Sequence, residues 1–418
     1  MLNHRTLLNG LLFLGGCCSY CNAAILTVSN NPGPGACSNA AYTTIAAAVF
    51  ASASGDEIDI CPGLYPEQLV ITQPVTLRGL STSANQRVLI QPATITNVQP
   101  PLYVQQGVAP SQAVISVIGT SNVTIENLTI DASLNAVTGC TVTLADIHFS
   151  NASGTVANNV LTGAQLSSPL TCGTLFPGNG FGVQVDTAAG QTGPFSVSIT
   201  GNSIHDFNRN GILLNGAGIT SEVSGNTISG VGPSTGYNQF GVFVALGAVA
   251  YVSHNMITQG NCGTISVAAC IPLRSEGVVF RAAGNASVVD SNFIANVQSG
   301  IFLNGGNQAQ ISNNVIMNVD ALDGIDIQGS AAGHFTNSVI LGNTITHVFP
   351  ISANSGGCGI NEATGTGVAQ NLILNNTVND AYCGVAFVTA DQASANTFSN
   401  TLYGTVNANL TYPPAVEP

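Results

Sequence analysis

The stretch SGIFLNGGNQAQISNNVIMNVDALDGIDI, residues 299–327, contains one full period of a repeat and the start of the next. Gly300 opens a run in which Ile301 and Leu303 alternate with Phe302 and Asn304, the period-two pattern of a strand with two different faces. A Gly-Gly-Asn turn follows, then a short apolar run ending at Asn314, then a third run that leads to Gly324, where the pattern begins again. The same glycine, followed by alternating apolar residues, recurs at Gly182, Gly211, Gly241, Gly277, Gly359 and Gly384, at intervals of roughly 23 to 36 residues. Unequal intervals on a constant strand pattern predict loops of different length grafted on one repeated coil.

A second mark falls between the glycines. Asn202, Asn226, Asn255, Asn292, Asn314, Asn343 and Asn376 each end one apolar run and precede another. An Asn at one corner of every coil can form a ladder, each amide bonding its neighbours along the axis. Strands joined by short turns, with no helical stretch between them, predict an all-β solenoid of parallel sheets.

This organisation resembles the right-handed parallel β-helix of the pectin-lyase-like superfamily. The segment YTTIAAAVFASASGDEIDICPGLYPEQLVITQPVTLRGL is similar to the N-terminal cap and first coil of pectin methylesterases and of the nitrous-oxide reductase accessory β-helix proteins. It predicts an N-terminal capping helix with Ile45, Ala48, Val49 and Ala53 on one face, closing the open end of the apolar core. The expected organisation is a cap over 25–60, the parallel β-helix over 61–402 and a C-terminal tail over 403–418.

Residues 1–24 read as an export signal: Arg5, an apolar run from Leu7 to Gly16, then small residues ending at Ala23 and Ala24. The LGGC sequence ending at Cys17 is an alternative, a bacterial lipidation box. No later apolar run is long enough to span a membrane. Beyond residue 24 eight cysteines remain, an even number that predicts four disulfides in an oxidising compartment. Cys358 and Cys383 both precede a repeat glycine in consecutive coils, so strand spacing brings their Cα atoms to about 4.8 Å. Cys37 and Cys61 are expected to pin the cap, and Cys262 and Cys270 bracket the long Gly241–Gly277 interval. Cysteine and histidine spacing predicts no metal site, and no cofactor is expected.

Only 6% of residues are charged, no lysine is present and the six arginines face 19 acids, which excludes a basic nucleic-acid footprint. Against that background Asp320, Asp323 and Asp326 are conspicuous. Asp320, like Asp206 and Asp380, is expected at a turn whose backbone N–H groups an aspartate can accept from. Asp326 alternates with Ile325 and Ile327, so it points outward, in a row with Gln184, Leu213, Phe243, Val279, Phe302, Asn361 and Ala386. An apolar neighbour such as Phe302 raises a carboxyl pKa, as a general acid requires. Asp323 lies about 10 Å along the extended strand, near the separation that admits a water in inverting glycosidases. Glu276 holds the Asp323 position two coils earlier, and Arg281 follows in that coil. The candidate catalytic set is Asp323, Asp326, Glu276 and Arg281, with Phe243, Phe302, Asn304 and Asn361 as the substrate-binding set.

The DGID segment is similar to the Asp-Gly-hydrophobic-Asp box of polygalacturonases at Asp323, Gly324 and Asp326, whereas that family's second Asp pair, Gly-His-Gly and Arg-Ile-Lys are missing. Two functions follow: an exported protein acting on or binding polysaccharide, or a non-catalytic surface module, structural or adhesive. The expected partner is a glycan surface in either case. His205, Asp206 and Arg209 imitate an acid-base cluster, but neighbouring turn residues are expected to diverge. Glu362 falls on an inward position, so either its strand breaks or the site extends inward.

Overall fold

The computed structural model describes residues 23–31, 35–80, 87–96, 111–137, 143–166, 180–187, 191, 193–231, 238–260, 274–329, 334–349, 356–362, 368–387 and 392–407. Each coil contributes one strand to a 13-stranded parallel sheet, in chain order from Ile25–Val28 to Gln392–Ser394. The other two faces of the coil are linked into a 22-stranded parallel sheet that carries the repeat glycines. Every pairing between named strands is parallel, as a solenoid requires. Isoleucines, valines and leucines that alternate along the strands meet inside, in one apolar core running the length of the axis.

Two devices turn the chain. Immediately before each ladder Asn stands a residue in the left-handed region: Gly201, Gly225, His254, Ser291, Asn313, Gly342 and Asn375, with φ between 54° and 66°. One such residue bends the strand direction, and short polar or glycine side chains tolerate it best. The next residue then points inward, where its amide replaces lost backbone partners. Asn202 Nδ2 donates to Asn226 Oδ1 at 3.0 Å, and the chain of bonds continues through Asn255, Asn292, Asn314, Asn343 and Asn376 at 2.9–3.0 Å. Asn159 and Asn396 extend the ladder by one rung at each end.

The helix Ile45–Ala51 packs Ile45, Ala48 and Val49 against the first coil. Thr44 caps it, and the Glu67 carboxylate accepts from the amides of Ile45 and Ala46 at 2.9 and 2.8 Å. Ala53 does not join this face: the helix ends at Ala51 and Ala53 is exposed in the turn beyond it. Coil pairing begins before the expected boundary, since Ile25–Val28 pairs with Asp56–Ile60, and it continues to Asn407. Cys37–Cys61 and Cys358–Cys383 are bonded, with Cα separations of 5.9 and 4.4 Å. Residues 1–22 and Cys140, Cys172, Cys262 and Cys270 lie outside the described residues.

The second corner corrects one register. Asp206 and Asp380 are left-handed there, at φ 55° and 57°, but in the coil between Gly300 and Gly324 that position belongs to Asn318, at φ 56°. Asp320 instead pairs with Phe349, two residues further on, because Ala321 and Leu322 add length before Gly324. Counting back from the glycine missed that insertion.

Replacing a ladder rung should damage the fold more than any surface change. Asn292→Ala strips a buried donor and acceptor from two adjacent coils and should cost about 1–3 kcal/mol, seen as a lower denaturation midpoint in urea with an unchanged slope.

Candidate functional site

On the glycine-bearing sheet, two columns of side chains point away from the core. The −1 column, the residue before each repeat glycine, runs Phe181, Asn210, Phe240, Glu276 and Ser299, then Cys358 and Cys383. Asp323 stands between Ser299 and Cys358, because Gly300 N–H donates to its carbonyl and Gly324 N–H donates to that of Cys358. The +2 column runs Gln184, Leu213, Phe243, Val279, Phe302, Asp326, Asn361 and Ala386, as the alternation predicts. Local sequence explains both columns. A Cβ at Gly324 would come within 2.5 Å of the Ile345 side chain and of Gly359 O, so the chain passes too close to the core for any other residue there.

The face is buried, where an open groove was expected. Phe240, Phe243, Ala245 and Val279, with the half-buried Leu213 and Phe302, form an apolar cluster separate from the core. Beside it Glu276, Asp323 and Asp326 are only 2%, 2% and 1% exposed. Burial penalises a carboxylate, so all three carboxyls titrate upward: Asp323 to about 8, Glu276 to about 7 and Asp326 to about 6. Repulsion from Asp326 adds to the rise at Asp323, which backbone N–H groups of Cys358 and Gly357 and the Asn361 amide oppose. Cys358 N donates to Asp323 Oδ1 at 2.8 Å, and Asn361 Nδ2 to Oδ2 at 3.0 Å.

Asp326 is differently placed. Gln328 Nε2 donates to its Oδ2 at 2.9 Å, while Oδ1 has no hydrogen-bond partner among the described residues. Leaving such a group unmet costs about 1–3 kcal/mol, which a bound hydroxyl would recover. The balancing cation is Arg274. Its guanidinium donates to Glu276 Oε1 at 3.1 Å, lies 5.1 Å above the Phe302 ring and lowers the Asp326 pKa against the effect of burial. Arg209 contributes from further off. Buried to 6% exposure, it stacks at 5.0 Å over Phe240 and favours the charged form of Glu276.

Thus Glu276, Asp326, Asp323, Phe302 and Asn361 are brought together, and Arg281 is not. Arg281 lies five residues past Glu276, roughly 16 Å along an extended strand, is exposed, and makes no ion pair among the described residues. Asn304 is its register partner and shares that rim. Phe243 sits two coil steps from Phe302, in the apolar patch. Gln328 was legible from the sequence, two residues past Asp326 and therefore on the same face. Arg274 and Arg209 were not, since they precede their strands and no repeat position announces them. The SIHDFNR cluster divides. His205 Nδ1 meets Asp206 Oδ2 at 2.8 Å on another face, so that pair converges where divergence was expected, and Arg209 turns to the Phe240 ring. Glu362 is the last residue of the strand Cys358–Glu362, in register with Ile327, and points inward to accept from Asn371 Nδ2 at 2.8 Å.

The family model for the right handed beta helix region matches residues 181–378 and 276–411, together more than half of the chain. The chain belongs to this family. No curated protein matches this β-helix chain. Among solved structures it is similar to the GH136 lacto-N-biosidase from Eubacterium ramulus, at 12% identity and a TM-score of 0.53, over 90% of this chain and 68% of that one. It is also similar to the Family 28 exopolygalacturonase of Yersinia enterocolitica, at 11% identity and 0.48, over 94% and 79%. The tailspike of E. coli bacteriophage HK620 aligns at 14% and 0.46, over 86% and 58%. At such identities the likeness concerns the fold.

The raised carboxyls give this β-helix a stability that depends on pH. Each binds its proton more tightly folded than unfolded, so its contribution is complete below the ordinary carboxyl range near pH 4 and is lost as pH rises through about 6, 7 and 8. The melting temperature should therefore fall between pH 5 and pH 8.5, and Asp323→Asn should flatten the upper part of that decline. Differential scanning calorimetry across this range measures both.

Proposed function

We propose that this protein is an exported β-helix that acts on a polysaccharide at the acidic strip of Glu276, Asp323 and Asp326, with Asp326 as the general acid. The observation that carries the reading is Asp326 itself: a buried carboxyl with one oxygen unpartnered among the described residues, a pKa raised to about 6 by burial, and Arg274 and the Phe302 ring beside it. A group so placed can hold a proton at weakly acidic pH and deliver it to a glycosidic oxygen. Asn361 and Asp323 position one another, and Glu276 is held by Arg274. That a lacto-N-biosidase shares the fold supports a glycan ligand only by analogy of fold. The excess of acid over base disfavours polyanionic chains, so a neutral glycan is the better substrate class.

The second reading, a non-catalytic glycan-binding or structural module, is favoured by the near-complete burial of all three acids and by the two protein donors on Asp323. A panel of neutral and acidic polysaccharides separates the two. Under the catalytic reading one substrate releases reducing ends, and Asp326→Asn lowers that rate at least about 100-fold while binding and melting temperature stay near wild type. Binding without turnover by the wild-type protein favours the module, and loss of neither on Asp326→Asn removes the site.

A further inference from the structure

The first strand starts beside a carboxylate that lacks a counter-charge. Ile25–Val28 pairs with Asp56–Ile60, and Glu57 N–H donates to Ala24 O at 2.9 Å, so Ala24 is already held in the ladder. Ala24 N donates in turn to Asp56 Oδ1 at 2.8 Å, while Ala53 N, in the turn behind the cap helix, donates to Oδ2 at 2.7 Å. Ala23 and Ala24 are exposed, and Ala23 makes no hydrogen bond among the described residues.

Asp56 has inward parity. It alternates with the fully buried Ile58 and Ile60 and is itself 7% exposed. A carboxylate at the mouth of an apolar core is costly unless a cation meets it, and none does among the described residues. The other charges nearby are committed elsewhere: Arg78 pairs with Glu57 and, at 2.9 Å, with Asp59 on the outward face, and Glu67 accepts from the first amides of the cap helix. The N–H groups of Ala53 and Ala24 hold the Asp56 carboxyl below its ordinary range against the effect of burial, so it stays charged.

The sequence can supply the missing cation. Residues before Ala24 carry the export-signal pattern, and a peptidase that removes such a leader requires small residues at the first and third positions before the cut. Ala23 and Cys21 meet that requirement for a cut between Ala23 and Ala24. A cut one residue later puts Asn22 in third place and removes the residue that reaches Asp56.

We propose that the chain is processed between Ala23 and Ala24 and that the α-ammonium released there pairs with Asp56. Water cleaves the bond from Ala23 C to Ala24 N: the oxygen stays in the new Ala23 carboxylate, and both protons pass to the Ala24 nitrogen. That nitrogen already lies 2.8 Å from Oδ1, so the ion pair forms without moving the strand. Processing turns a neutral N–H bond into a charged clasp between the first strand and the turn behind the cap helix. The leader is then one residue shorter than the 1–24 segment expected from the sequence. This processing rests on the export reading above, and lipidation at Cys17 would leave Ala24 N an ordinary amide.

Because the chain contains no lysine, the α-amine is its only primary amine and can be titrated alone. The full chain is expressed with its own leader in an exporting host, the exported protein is weighed by intact mass spectrometry, and acylation by an N-hydroxysuccinimide ester is followed against pH. A mass beginning at Ala24 is expected, with an acylation midpoint about one pH unit above the ordinary α-amino range near 8. Labelling at neutral pH should then be about tenfold slower than in a chain made behind a different leader and retaining Ala23. Asp56→Asn should return the midpoint to the ordinary range, and if that variant does not fold, the chain retaining Ala23 decides. An exported chain that begins at Cys17, at Ile25 or anywhere but Ala24 overturns the proposal while leaving export intact. An ordinary midpoint in the Ala24 chain, or a raised one that persists in the comparison chains, also overturns it. A chain that keeps its leader and is not exported overturns the export reading and this proposal together.

Discussion

Each coil must lie on the next at strand spacing along the whole axis, and the Asn ladder is what holds the corner to that spacing. A sheet supplies its own hydrogen bonds, but a sharp turn leaves backbone groups facing the core. The ladder amides meet them: Asn255 Nδ2 bonds Val223 O at 2.9 Å and Asn292 Oδ1 at 2.9 Å, while Asn292 Oδ1 also takes the Asn255 N–H at 3.0 Å. One side chain thus serves three coils. Because each rung needs the one beside it, the corner cannot slip by a residue, and the registers of the adjoining strands follow.

A fixed register converts positions in a linear repeat into columns on a surface. This is how Glu276 and Asp323, far apart in sequence, come to share the −1 column with one residue between them. It is also how Phe302 falls between Val279 and Asp326. The interior is occupied by aliphatic packing, so chemistry is confined to side chains that alternate outward. Within the core Glu362 and Asp146 are exceptions: an Asn371 amide meets Glu362, and burial pushes the Asp146 carboxyl well above its ordinary range.

The outer face is itself covered, and its electrostatics follow from that. In a chain so poor in charge, few cations are available to compensate buried acids. Arg274 meets Glu276 directly and Arg209 acts from beside Phe240, yet all three carboxyls remain well above their ordinary range. Desolvation outweighs pairing here, because two guanidiniums, of which Arg274 alone is seen bonded to one of these acids, do not offset the burial of three carboxyls.

The coil, the ladder, the outward row around Asp326 and two of the disulfides were legible in the sequence, because each depends on a short-range pattern repeated many times. Period-two alternation and a recurring Gly or Asn are local signals, and stacking multiplies them without altering them. What the repeat does not encode was decided by the tertiary structure. The insertion at Ala321 and Leu322 moved Asp320 off the corner shared by Asp206 and Asp380. Arg274, rather than Arg281, reached the acids, because a non-repeating segment delivered it. The burial of the outward face, and with it the titration of Asp323, Asp326 and Glu276, arose from side chains of several coils closing over one another. Solvation is a property of that assembled surface, and no single coil carries it.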